Sequence, residues 1–388
     1  MKHDLIVFGE DWNRHPSSTQ HLIKELGRDR KLIWVNSIGL RRPRLTIRDA
    51  VRVLEKVKSW FGMGNFANNE GSSVDDVEHR FSQFQVISPW VFPAARSRLV
   101  RALNRGILSW QIRRVAKRMC MRRRDLWVSL PTAVDWVGHL NESKVLYYCG
   151  DDFSALAGVD HAHVAQCERE LAHKSTHILV ASATLHHKFN AISNWKNKTM
   201  LVEHGVDTAL FSTPAPCAQV LEGQRPVAGF YGSIADWLDL SMLAQVARAL
   251  PNWRFVLMGR VETDLSAIKT VENIELLPPV AHHLLPRYAQ HWQASLLPFR
   301  DCEQIHACNP LKLREYLAVG KPVVSTPFPA LEPYRSVVNE VTSAEQMVNA
   351  LLAIENSYSS FHHERRACVK HESWLARAQQ LQTVLSSS

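Results

Sequence analysis

The residues best suited to chemistry stand together in one short stretch, Asn309-Pro310-Leu311-Lys312-Leu313-Arg314-Glu315-Tyr316. Asn309 is a capping residue type and Pro310 belongs in a first helical turn, so the pattern predicts a helix from Leu311. Lys312 then falls in the first turn, where a cation is unfavourable against the positive end of the helix dipole. A basic residue there is explained if an anion, such as a diphosphate, binds in front of it. Glu315, one turn further on the same face, could accept hydrogen bonds from ribose hydroxyls. The plain alternative is an ordinary surface helix.

A second candidate is Asp151, which follows the apolar run Val145–Tyr148. If that run is a strand of an open parallel sheet, Asp151 projects from its carboxyl edge into a cleft. A carboxylate there can take the proton from an attacking hydroxyl. Asp152 could do the same work or cap the turn, and a loop aspartate bonded to nearby N–H groups is the bland reading. Metal chemistry is not expected. Cys302, His306 and Cys308 lie close in sequence without a second ligand pair, and the pairs His161/His163, His186/His187 and His282/His283 fit no helical ligand spacing. These histidines read as solvated or hydrogen-bonded. The seven cysteines are scattered and lack a CxxC pair, which fits reduced thiols.

The elements that must hold these residues alternate. Leu5–Phe8 and Leu32–Asn36 read as strands around a helix at Thr19–Leu26, the opening of a βαβ unit. Arg41–Arg44 is a basic turn, Ile47–Phe61 an amphipathic helix and Gly62–Ser73 a loop. A long basic helix is expected over Ala94–Met121, running into Arg122–Arg124. Strands follow at Leu126–Leu130, Val145–Tyr148, Ile178–Ala181 and Met200–Glu203, with a helix at Ala162–Lys174. Thr213–Gln224, with Pro214, Pro216 and Gly223, reads as a linker. Beyond it come strands at Val227–Tyr231, Arg254–Met258, Ile274–Leu276, Ala294–Pro298 and Pro322–Ser325, and helices at Leu240–Ala249, Leu284–His291 and Leu311–Ala318. Strands separated by helices of about ten residues indicate parallel sheets. The expected fold is α/β with two Rossmann-like domains: residues 1–207, residues 208–360, and a C-terminal segment 361–388 with a helix at Glu372–Leu385.

Composition bounds the rest. The 388 residues suffice for two cores, and 46% hydrophobic with 21% charged residues is a globular balance. No run approaches the ~18 apolar residues of a spanning helix, and Leu5–Phe8 is too short for a signal segment, so a cytoplasmic location is expected. The charge is uneven. Residues 1–204 hold 31 Lys/Arg against 20 Asp/Glu, whereas residues 205–388 hold 15 against 17. The whole excess of +9 therefore sits in the first part, which should meet something anionic. Trp60 and Phe61 could enter a membrane interface, and Arg96–Arg124 could face anionic headgroups or a lipid pyrophosphate. Alternatively, both apolar stripes pack on the core and the charges are only solvated.

The segment Asn309–Val324, preceded by Leu296-Leu297-Pro298-Phe299, resembles the donor-binding segment of GT-B glycosyltransferases. The resemblance is to family-4-like enzymes of exopolysaccharide and teichuronic-acid assembly, and to the xanthan-chain glucuronosyltransferase. It spans most of the chain in short pieces. Tyr147–Ser154 resembles the segment carrying a catalytic aspartate, which falls on Asp151. His204-Gly205-Val206-Asp207 is similar to the turn between the two domains. Gly232, Ser233 and Ile234 match the glycine loop approaching the donor, and Pro279, Val280 and Phe299 fall where a uracil is held. Lys312 falls on a phosphate-binding lysine and Glu315 on a nucleotide-contacting position, with Asn309 and Leu311 beside them. The chain departs from the family-4 pattern at Ala307, where a first glutamate would stand. It also lacks the Arg and Lys that commonly follow the glycine loop; Ile234, Ala235, Asp236 and Trp237 stand there.

The resemblance implies a GT-B fold whose sheets face an interdomain cleft, with the last helix crossing back to the first domain. It implies transfer of a sugar from a nucleotide-sugar, such as a UDP-sugar, to a glycan or lipid-linked acceptor in surface polysaccharide synthesis. Lys312 and the helix start would stabilise the departing diphosphate, so the scheme requires no metal or other cofactor. Asp151 as base implies inversion, with retention left open. The protein would sit at the inner face of the cell membrane. Two alternatives remain at this level, a nucleotide-sugar epimerase of similar architecture and a basic nucleic-acid-binding protein. No nucleic-acid-binding motif supports the latter.

Overall fold

Two parallel sheets organise the computed structural model, which describes residues 2–12, 17–37, 81–91, 97–153, 160–356 and 361–387. The expected turn Arg41–Arg44, helix Ile47–Phe61, loop Gly62–Ser73 and residues Arg96 and Ser154 lie outside the described residues. The first sheet contains β1 (Asp4–Phe8), β2 (Lys31–Val35), β3 (Gln83–Ile87), β4 (Arg124–Val128), β5 (Val145–Cys149), β6 (His177–Val180) and β7 (Thr199–Leu201), in the order β3-β2-β1-β4-β5-β6-β7. The second contains β8 (Val227–Tyr231), β9 (Arg254–Met258), β10 (Ile274–Leu277), β11 (Ala294–Leu297), β12 (Val323–Ser325) and β13 (Asn339–Glu340), in the order β10-β9-β8-β11-β12-β13. Each sheet thus starts with the doubly wound 3-2-1-4-5-6 order. The reversal between β1 and β4, and between β8 and β11, opens a crevice at the strands' carboxyl ends.

By compactness the chain divides into one unit of Met1–Arg14, Gly27–Tyr148 and Phe153–Ile178, and another of His15–Leu26, Cys149–Asp152 and Leu179–Ser388. In the first unit the long basic helix spans Arg98–Arg118, capped by Ser97, whose hydroxyl accepts from the Val100 N–H at 3.4 Å. Residues 94–96 of the expected helix lie outside the described residues. Its inner face buries Asn104, Leu108, Ser109, Ile112 and Ala116. Its outer face leaves Leu99, Leu103 and Trp110 exposed by 84%, 53% and 53%. Arg98, Arg105, Arg113, Arg114, Lys117 and Arg118 are exposed around them, and the helix carries no acidic residue. Leu108, Ile112 and Ala116 thus pack on the core, whereas Leu99, Leu103 and Trp110 do not.

In the second unit β8 is buried along its whole length, as expected for a strand covered on both faces. The helix Leu240–Ala249 is capped by Asp239, which accepts from the Met242 N–H at 2.9 Å. The helix Leu311–Val319 stops at Gly320, whose φ of +86° provides the left-handed termination that glycine permits. Two expectations change here. The helix read over Leu284–His291 is a 3-10 turn, His282–Leu284, followed by a short helix, Pro286–Ala289, because Pro286 supplies a start and no N–H. The segment read as a linker, Thr213–Gln224, is tied down. Ala218 N–H donates to the Arg287 carbonyl at 3.0 Å, and the Gln290 amide bonds the Phe211 and Thr213 carbonyls and the Ala215 N–H. The last helix, Trp374–Ser387, packs against Ser18–Leu26 within the same unit. Among the described residues no helix is long and apolar enough to cross a membrane.

Candidate active site

The carboxyl ends of β8 and β11, at the switch point of the second sheet, gather most of the residues singled out in the sequence. The helix Leu311–Val319 starts here, and seven of its nine residues, Leu313 to Val319, are buried. Its start is fixed by cross-links and not by a capping side chain. Asn309, expected to cap, instead donates its amide to the Ala181 carbonyl at 2.7 Å and accepts from the Arg314 guanidinium. Its own carbonyl accepts from His204 Nδ1 at 2.7 Å. Burial lowers the pKa of His204 to about 3, helped by Arg314 and Arg377, so the ring is neutral and Nδ1–H is the donor. Asn309 is 2% exposed, and its bonds hold the helix start.

Lys312 projects from that start. Its Nζ lies over three rings, 5.1 Å from the centroids of Phe230 and Trp237 and 5.8 Å from that of Phe299. Gly232, the first residue after β8, passes beneath it with φ +131°, and an added Cβ would stand 2.8 Å from Nζ. The glycine is thus needed both for its backbone angle and for the lysine's room. Among the described residues no carboxylate lies within ion-pair distance of Nζ. Crowding by protein lowers the Lys312 pKa, against the opposing pull of Cys308, Glu315 and Asp151.

Glu315, expected to face a ribose, has both oxygens engaged. One accepts from the Tyr231 hydroxyl at 2.7 Å, the other from His282 Nε2 at 2.8 Å, and the residue is 7% exposed. Burial disfavours charge on His282, but the hydrogen bond to Glu315 and its charge, with that of Asp207, outweigh it and raise the pKa. The Tyr231 N–H in turn donates to the Tyr316 hydroxyl at 3.1 Å. His282 was read as one of the solvated or hydrogen-bonded histidines, and it is hydrogen-bonded. Its role as Glu315's partner had no signal in spacing, because the two are 33 positions apart.

The remaining candidates divide. Ser233 is partly exposed in the loop after β8. Ile234 has a fully buried side chain, and its backbone bonds the Arg260 carbonyl and the Glu262 N–H, so it belongs to the core. Val280 is partly buried two residues before His282, and Phe299 is 4% exposed with its N–H on the Thr326 hydroxyl at 2.9 Å. Leu311 is partly exposed at the helix start. Asp151 is exposed just beyond β5, and its charge reaches both Lys312 and the Cys308 thiol. Burial, then Asp151, pushes Cys308 up to about 12, so that thiol is inert. Asp152 is paired with Lys188 at 2.7 Å. Among the described residues no group of three or more His, Cys, Asp or Glu is arranged to hold a metal. An open groove of about 780 Å³ lined by Arg225, Arg248, Asn252 and Glu272 precedes β8 to β10, at the opposite edge of the sheet, and holds none of the candidates.

Residues 225–356 match the family described as Glycosyl transferases group 1. Over 274 residues, 64% of this chain and 68% of the relative, the sequence is 25% identical to TuaH of Bacillus subtilis (strain 168), assigned as a teichuronic acid biosynthesis glycosyltransferase. In structure it is similar to Anabaena Alr3699/HepE in complex with UDP-glucose, with TM-score 0.69 at 12% identity, over 99% of this chain and 100% of that one. Sucrose-phosphate synthase from Thermosynechococcus elongatus gives TM-score 0.69 at 12% identity, over 99% and 98%. The fold is GT-B.

Proposed function

We propose that this chain, a GT-B glycosyltransferase, takes its sugar from a UDP-sugar and passes it to a glycan or lipid-linked acceptor in surface polysaccharide synthesis. The observation that carries the reading is the Lys312 ammonium, held at the sheet's switch point without a carboxylate partner among the described residues. A cation left uncompensated beside a helix N-terminus is suited to the two phosphates of a departing nucleoside diphosphate. UDP and UDP-glucose bound to HepE, and the pathway assigned to TuaH, support this choice of donor and acceptor class. In this scheme Gly232 and Ser233 approach the phosphates, and Val280 and Phe299 border the base. Glu315 acts through its Tyr231 and His282 bonds to keep the ribose side of the site rigid.

Asp151 is the proposed base. It takes the acceptor hydroxyl's proton as that oxygen attacks the anomeric carbon and the bond to the diphosphate breaks. Lys312 and the helix start carry the charge that leaves, so the reaction runs without a metal or other cofactor. Residues 1–207 would serve the acceptor and 208–360 the donor. The outer face of the helix Arg98–Arg118 would hold the protein peripherally on the cytoplasmic side of an anionic membrane.

Calorimetric titration with UDP and UDP-sugars tests the reading. The wild type should bind, and Lys312→Ala should lose about 1.5–3 kcal/mol, roughly ten- to hundredfold in affinity. Equal binding by that variant removes Lys312 from the site. Asp151→Asn should keep donor binding and lose about 10²–10⁴ in transfer rate. UDP release that needs no acceptor would point to an epimerase instead.

A further inference from the structure

The Lys312 ammonium is held by rings where an ion pair would be the usual arrangement. Phe230 comes from the end of β8, Trp237 from the loop after it, and Phe299 from the segment after β11, so the cage is built from both sides of the switch point. The rings support one another: Trp237 meets Phe299 edge-on at 5.5 Å between centroids and lies 6.2 Å from Phe230. An aromatic face attracts a cation within about 6 Å of its centroid without neutralising it. A carboxylate in the same place would cancel the charge before a phosphate arrived. Gly232 closes the underside, and the lysine as a whole is partly exposed.

Phe230 and Phe299 are core residues, 0% and 4% exposed, whereas Trp237 is only partly buried. We infer that Trp237 is a positioning residue: its ring fixes the Lys312 ammonium where the donor's diphosphate meets it, and replaces an acidic partner for that lysine. This rests on the donor-binding role of Lys312 proposed above.

The test measures affinity for UDP and for uridine, which lacks the phosphates, in wild type, Trp237→Leu, Trp237→Phe, Lys312→Ala and the Lys312→Ala/Trp237→Leu double variant. Trp237→Leu should weaken UDP binding about three- to tenfold and leave uridine binding unchanged. Trp237→Phe should stay within about twofold of wild type, because a ring remains. In the Lys312→Ala background the loss from Trp237→Leu should vanish, since there is no ammonium left to position. Trp237→Met, similar in bulk without a π-face, replaces the leucine variant should that one not fold. The inference is overturned if Trp237→Leu binds UDP like wild type, if uridine binding falls equally, or if the loss persists without Lys312. Absence of UDP binding by the wild type sinks the donor-site reading and the inference with it. Loss on Lys312→Ala without loss on Trp237→Leu sinks the inference alone.

Discussion

At the scale of single residues, the chemistry of Lys312 should be visible in its response to pH. Its pKa is held below the usual lysine value, about 10.4, chiefly by burial. A bound diphosphate favours the protonated form, so binding takes up a proton wherever the free side chain has lost it. UDP affinity should therefore be flat at neutral pH and fall about tenfold per pH unit above the free enzyme's lowered pKa. That fall should begin before lysine's ordinary range and disappear in Lys312→Arg, whose guanidinium stays charged. An identical alkaline profile in both proteins would mean that another group controls binding. Part of this scale was legible: the sequence singled out both Lys312 and, by resemblance, Gly232, and the two meet, an added Cβ on the glycine standing 2.8 Å from Nζ. Trp237 and His282 were not legible, because their partners lie 75 and 33 positions away and nothing in local spacing reports such a meeting.

At the scale of elements, an ionic cluster around the buried Arg314 ties the helix Leu311–Val319 to the chain just before the last helix. Arg314, 1% exposed, donates to Glu372 at 2.6 Å, and the Tyr334 hydroxyl donates to the same carboxylate at 2.7 Å. Val206 N–H bonds the Glu372 carbonyl at 2.8 Å, so the His204–Asp207 turn is held by the same residue. Removing one member of a buried pair leaves the other charge uncompensated, which costs far more than the pair contributes. Glu372→Ala should accordingly destabilise by about 3–5 kcal/mol in urea unfolding. Glu203→Gln, at 3.5 Å and on a 31%-exposed side chain, should cost under about 1 kcal/mol. Similar losses for the two would contradict this ranking. From the sequence, Arg314 was a step in a motif and Glu372 the start of a helix. Only packing joined them, because a buried arginine must find a carboxylate wherever the fold brings one.

At the scale of the whole molecule, the basic excess has one structured bearer among the described residues, the outer face of Arg98–Arg118. Leu99, Leu103 and Trp110 fall on one side of that helix, and Arg114 stacks 5.3 Å above the Trp110 ring. The protein should co-sediment with anionic phosphatidylglycerol vesicles, less so as salt rises and screens the charges. The combined variant Leu99→Glu, Leu103→Glu, Trp110→Glu should lose this binding while its melting temperature holds, since none of the three is buried. Wild type that ignores anionic vesicles, yet shifts nucleic acid in a gel, would turn the reading toward the nucleic-acid alternative.

What the sequence alone determined was periodic or local: the alternation of strands and helices, the parallel sheets, the helix beginning at Leu311, and the lysine in its first turn. These depend on neighbours within a few residues, and burial patterns write them directly into the chain. What only the tertiary structure decided was which groups were already taken. Asn309 spends its side chain on Ala181 and Arg314, Glu315 spends both oxygens on Tyr231 and His282, and Lys312 alone among these is left facing rings. A buried polar group must satisfy its hydrogen bonds with whatever the fold supplies, and those partners come from distant strands, so their identity is a property of the packed molecule.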